Sequence, residues 1–101
     1  MPIYTVSQVS HYLKGVLESE QLLKDVWISG EISNFNQSPA GHYYFTIKDA
    51  QSQLRCVFFK PALGAELLSG GAAIIAHGRI SIYETRGELQ LYVDLVQPEG
   101  V

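Results

Sequence analysis

Two long alternating segments limit what this chain can fold into, because each carries a glycine in its interior. "VWISGEISNF" (26–35) sets Val26, Ile28, Gly30 and Ile32 against Trp27, Ser29, Glu31 and Ser33. "AAIIAHGRISIYE" (72–84) carries Gly78 in its middle. Alternation of period two is the pattern of a half-buried strand. A glycine inside such a strand marks a bend, a bulge or a close backbone approach. Long strands that bend midway are the corner-turning strands of a small closed barrel.

Three further segments alternate. "GHYYFTIKD" (41–49) puts Tyr43, Phe45 and Ile47 on the core face, with His42, Tyr44, Thr46 and Lys48 on the other. "LRCVFF" (54–59) puts Leu54, Cys56 and Phe58 inward and Arg55, Val57 and Phe59 outward, with Pro61 expected to stop it. "ELQLYVDLV" (88–96) puts Leu89, Leu91, Val93 and Leu95 inward against Gln90, Tyr92, Asp94 and Val96. "NQSPAG" (36–41) and "DAQSQ" (49–53) are turn compositions. "TRG" closes a hairpin, with Gly87 at a positive φ. "ALGAELLSGG" (62–71) reads as a short helix or turn stopped by paired glycines.

A helix leads the chain. Thr5 is its N-cap, Gln8 completes a capping box, and Tyr4 with Val9 has staple spacing. Val6, Val9, Leu13, Val16 and Leu17 recur at helical spacing, and the helix is expected to end near Ser19 or Glu20. The outward Trp27 is expected to pack against this helix. The predicted fold is mainly β: a five-stranded OB-fold barrel with a leading N-terminal α-helix and a short helix between strands 3 and 4. The expected organisation is a helical segment over 1–23, the barrel over 24–98 and the start of a linker at 99–101.

Composition excludes several function classes. Seven Lys and Arg against ten Asp and Glu give a net charge of −3, so a strongly electrostatic nucleic-acid binder is disfavoured, while a local basic patch is not. The one cysteine, Cys56, lies in an apolar run and reads as a buried small hydrophobe. No disulfide can form within the chain. The N-terminus has no signal-peptide pattern, and no apolar run approaches the ~20 residues of a membrane span. A soluble, cytoplasmic protein is expected. His11, His42 and His77 share no metal-ligand spacing with each other or with Cys56. Asp49, Glu84 and Glu88 read as solvated turn carboxylates. No phosphate-cradling glycine loop and no nucleophile elbow is present, so no catalytic residue, metal or cofactor is expected in this chain.

The binding pattern is stronger. OB-folds bind through the outer face of strands 2 and 3 and through the 1–2 and 4–5 loops. Those places carry Tyr44, Lys48, Arg55, Phe59, Phe35, His42, Arg79, Tyr83 and Arg86. Rings beside cations suit single-stranded nucleic acid, since bases stack on the rings and Lys or Arg follows the phosphates. An RNA-binding module of the tRNA-anticodon type and a protein-interaction module are the competing readings.

The blocks "VWISGEISNF", "GHYYFTIKD", "LRCVFF", "HGRISIYETRGELQLYV" and "VQPEG", with the opening "YTVSQVSHYLKGVLE", resemble the N-terminal domain of the large subunit of bacterial exodeoxyribonuclease VII. The resemblance runs from about Tyr4 to Gly100. It implies a nuclease that degrades single-stranded DNA from both ends into oligonucleotides, in DNA repair and recombination. It implies small-subunit partners, a cytoplasmic location and no strict need for a divalent metal. It places the catalytic residues and the small-subunit contacts in later domains. Tyr44, Lys48, Arg55, Phe59 and Arg86 stand at the matching positions of the implied single-strand grip.

Overall fold

The computed structural model describes residues 1–100, with the side chains of residues 60–62 left aside. Val101, in the expected linker, lies outside the described residues. The elements are α1 (Val6–Ser19), α2 (Gln21–Lys24), β1 (Val26–Gln37), β2 (Tyr43–Lys48), β3 (Gln53–Leu63), a 3₁₀ turn (Ala65–Leu67), β4 (Ala73–Tyr83) and β5 (Glu88–Pro98). The strands close into a barrel in the order β1-β2-β3-β5-β4. β3 and β5 run parallel and the other pairs antiparallel. The predicted architecture is therefore the observed one, with α2 added.

β1 closes the barrel by serving two neighbours. Its first half, Val26 to Glu31, pairs with β4, and its second half pairs with β2. At Gly30 the ladder is regular, and the irregularity of β1 lies between Ser33 and Asn36, where Asn34 has φ 51°. Gly30 instead gives room. A Cβ there would lie 3.0 Å from the Ile47 Cβ and 3.2 Å from the Lys48 carbonyl oxygen, where β1 passes over β2. Gly78 is needed more severely, since a Cβ would lie 2.1 Å from the Tyr92 carbonyl oxygen.

The core is Ile32, Phe45, Ile47, Cys56, Phe58, Leu68, Ile74, Ala76, Leu91, Val93 and Val96. Three assignments on β5 are corrected. Leu89, assigned inward, is exposed near the hairpin end; Leu95, assigned inward, is half-buried outside the core; and Val96, assigned outward, is buried. The cause at Leu95 and Val96 is a register shift between His77 and Gly78 of β4. Gly78 pairs with Val93 and His77 with Leu95, so Asp94 is the extra residue and the alternation reverses after it. β3 also runs past Pro61 to Leu63, its register with β5 shifting between Phe58 and Leu63. Such an irregularity tolerates a proline that has no N–H for the ladder. The 62–71 segment holds only one 3₁₀ turn, from Ala65 to Leu67.

α1 begins at the expected cap. The Gln8 N–H donates to Thr5 Oγ1 at 3.0 Å, and the Thr5 N–H donates to Gln8 Oε1 at 2.8 Å. The helix runs antiparallel to β4. His11 Nδ1 lies 3.3 Å from Glu84 Oε1, and about two turns later Ser81 Oγ donates to Glu18 Oε2 at 2.7 Å. Most of its apolar stripe points elsewhere: Val6, Val9, Leu13 and Val16 are exposed, Leu17 is half-buried, and the one fully buried residue of α1 is Ser10.

Trp27 does not pack on α1 as expected. Its ring lies 4.4 Å from that of His77, opposite it across the β1–β4 ladder. His77 Nδ1 meets Asp94 Oδ1 at 2.6 Å, and its Nε2 meets Asp25 at the end of α2. The hydrogen bonds to Asp94 and then Asp25 raise the His77 pKa above its ordinary 6.5. The folded state thus favours the imidazolium. Its stabilisation is full below about pH 6.5 and is lost as pH rises through the raised value. We expect the melting temperature to fall with rising pH across that window and the fall to vanish in His77→Gln. The effect should be no more than about 1 kcal/mol, because both carboxylates are largely exposed. A profile unchanged by the substitution would contradict this assignment.

Candidate nucleic-acid interface

The outer face of the barrel is set by register. One row across it reads Tyr44, Val57, Tyr92 and Arg79, and the next reads Thr46, Arg55, Gln90 and Ser81. The first row forms a shallow depression of about 320 Å³ lined by Tyr44, Val57, Phe59, Tyr83, Gln90 and Tyr92. Four of those six side chains are aromatic. Phe59 lies nearly parallel to Tyr92, with centroids 6.4 Å apart and planes at 16°. His42 meets Phe59 edge-on at 5.0 Å. The Arg79 guanidinium sits 4.6 Å above the Tyr92 ring. A second depression, of about 470 Å³, continues from the first past Phe59, Tyr92 and Arg79 toward Lys24, Leu63 and Asp94.

Tyr44, Phe59, Tyr83 and Arg79, predicted separately, are thus brought together, with His42 at the rim. Phe59 and Tyr83 keep 45% and 44% of their surfaces exposed, enough for a flat ligand to lie on them. Arg55 lies along the face, donating from Nη1 to Thr46 Oγ1 at 3.3 Å. That contact also explains why Thr46, though outward, is buried. Lys48 is exposed at the far end of β2, opposite Gln53 and Glu31. Continuing the β3–β5 register puts Gln53 level with Glu88, so Lys48 stands at the same end as the exposed Arg86 of the 84–87 turn. Two cations therefore flank one end of the aromatic depression. Phe35 does not join it. Its ring stacks at 5.7 Å on Tyr43, which packs against the core, so Phe35 belongs to the end of the barrel.

Tyr92 is the residue that sequence reasoning left out of the site. Its outward direction was legible in β5, but its place between Val57 and Arg79 follows from the parallel pairing of β3 and β5. Partial burial raises its pKa, with Arg79 opposing, so the ring stays a neutral phenol at ordinary pH.

The carboxylates are occupied as turn and surface groups. Asp49 accepts from the N–H groups of Gln51 and Ser52, both at 2.8 Å, and these bonds lower its pKa. Glu84 pairs with His11 and, at 3.9 Å, with Lys14. Among the described residues no group of three His, Cys, Asp or Glu side chains is arranged to hold a metal. Burial pushes the Cys56 thiol up to about 12, so it stays protonated and unreactive. The arrangement offers stacking surface and a few cations.

A family model described as "OB-fold nucleic acid binding domain" matches residues 4–97. The chain is 46% identical over 104 residues to the exodeoxyribonuclease 7 large subunit of Legionella pneumophila (strain Corby), covering 100% of this chain and 23% of that protein. Against the exodeoxyribonuclease 7 large subunit of Geotalea uraniireducens (strain Rf4) it is 44% identical over 101 residues, covering 98% and 22%. The resemblance noted from the motifs is thereby borne out, and the chain spans about a quarter of the length of these relatives. Among solved structures, the asparaginyl-tRNA synthetase of Entamoeba histolytica superposes with a TM-score of 0.66 at 17% identity, over 81% of this chain and 22% of that one. The Pyrococcus horikoshii asparaginyl-tRNA synthetase complexed with asparaginyl-adenylate gives 0.65 at 18%, over 88% and 21%. At such identity the likeness is one of fold. Barrel, leading helix and matched span agree, and the chain belongs to the OB-fold nucleic acid binding domain family.

Proposed function

We propose that this chain is the single-stranded-DNA grip of an exodeoxyribonuclease VII-type large subunit. In this reading it holds the strand for a catalytic domain that follows the linker at 99–101. The observation that carries the reading is the ring-lined depression of Tyr44, Phe59, Tyr83 and Tyr92, with cations at its margins. Stacking of this kind accepts any base, as a nuclease without sequence preference requires. The sequence identity to exodeoxyribonuclease 7 large subunits supports the parent activity. Degradation of single-stranded DNA, a role in repair, assembly with small subunits through the later part of the protein and a cytoplasmic setting belong to the same proposal. Among the described residues no helix is long and apolar enough to cross a membrane.

The competing ligand is RNA. A face that recognised RNA would need contacts to 2′-hydroxyls, which deoxyribose lacks. The test is fluorescence anisotropy with labelled oligo-dT and oligo-U of equal length at low salt. Binding of oligo-dT at least as tight as that of oligo-U, weakened steeply by salt, is the expected result. Clear preference for oligo-U would move the chain to the RNA reading. No binding of either would move Phe59 and Tyr44 to contacts with protein.

A further inference from the structure

The outer face contains an intramolecular anion. Ser81 belongs to the binding face by register, yet it is only 1% exposed, because α1 lies over it. Its hydroxyl donates to Glu18 Oε2 at 2.7 Å, and Arg79 Nη1 lies 3.7 Å from the same oxygen. Arg79 is also the cation stacked on Tyr92, at the junction of the two depressions. A hydroxyl and a guanidinium converging on one carboxylate oxygen are the donors that a phosphodiester oxygen takes. The cation best placed beside the rings is therefore already neutralised from within the chain.

The helix carrying this carboxylate is lightly held. Apart from the half-buried Leu17, its apolar stripe faces solvent, so little hydrophobic area fixes it to the barrel. Its other polar ties, His11 and Lys14 to Glu84, involve partly or largely exposed side chains and are weak. A polyanion competing for Ser81 and Arg79 has little to overcome.

Resting on the single-strand reading above, we propose that Ser81 and Arg79 form a phosphate subsite at the edge of the aromatic groove. Glu18 occupies that subsite in the free protein. α1 is then a displaceable acidic strap, and a backbone phosphate of the bound strand replaces the carboxylate.

The test compares oligo-dT affinity of the unaltered chain with that of Glu18→Gln, which keeps a hydrogen-bonding side chain and removes the charge. Affinity should rise about fivefold to tenfold at low salt, and the gain should disappear in the Glu18→Gln/Arg79→Ala double variant. Equal or weaker binding by Glu18→Gln, or a gain that survives without Arg79, overturns the proposal. A readout independent of the variants' folding is hydrogen exchange of the α1 amides in the unaltered chain. Oligo-dT should accelerate exchange across Val6–Ser19, and unchanged or slowed exchange also overturns the proposal. If binding depends on Phe59 but neither readout moves, the subsite falls and the grip stands. If the unaltered chain binds no oligo-dT, both fall.

Discussion

Gly78→Ala should cost about 3 kcal/mol or more of folding stability, a large loss for a single methyl group. The added Cβ would lie 2.1 Å from the Tyr92 carbonyl oxygen and 3.0 Å from the Val93 Cα. Both are backbone atoms of β5, so no side-chain rotation relieves the clash. The β4–β5 ladder would have to open at the point where its register shifts. A domain of this size has roughly 5–15 kcal/mol in total, so about a fifth or more of its stability is at stake. The melting temperature should drop by at least about 12 °C. Gly15→Ala is the matched control. It lies mid-helix with nothing within 4 Å of a new Cβ, and it should stabilise α1 by up to about 1 kcal/mol. A Gly78→Ala protein that melts within a few degrees of the parent would overturn this account of the barrel.

Phe59→Ala and Tyr92→Ala should each weaken oligo-dT binding by tenfold or more, about 1.4 kcal/mol. The two rings form the nearly parallel pair at the centre of the groove, and no other described ring can replace either one. Phe59 is almost half exposed, so its loss should barely change stability, and the effect will be read in binding alone. Tyr92 also supports Arg79, and its removal should reduce the salt dependence of binding as well. Arg55→Ala should weaken binding and flatten the salt dependence by about one phosphate contact. Leu89→Ala, another exposed apolar residue but outside the groove, should bind as the parent does. Parent-like affinity in both ring variants would remove the grip from this face.

Much of this was legible because local chemistry and burial agreed. Thr5 and Gln8 spelled out the start of α1, and both reciprocal bonds are present. Period two located all five strands, since each has one face on a common core. The bulge at Asp94 was not legible. It lies beside Gly78, where β4 and β5 approach closely, and it places Val96 in the core. The side of α1 that meets the barrel was also hidden. Apolar spacing marked a stripe on α1 without saying what it meets, and Ser10, Glu18 and the two residues paired with Glu84 make the contact.

By itself the sequence determined the strands, the capped helix, the barrel closed through glycine-bearing strands and the outward direction of each candidate side chain. All of these follow from neighbours a few residues apart, through alternation, capping and the absence of a Cβ. Only the tertiary structure decided which outward side chains become neighbours. Tyr92 reached Phe59 through a parallel pairing of strands some thirty residues apart, and Glu18 reached Ser81 and Arg79 from a helix more than sixty residues away. Those contacts depend on how the closed barrel orders its strands in space, and no local period encodes that order.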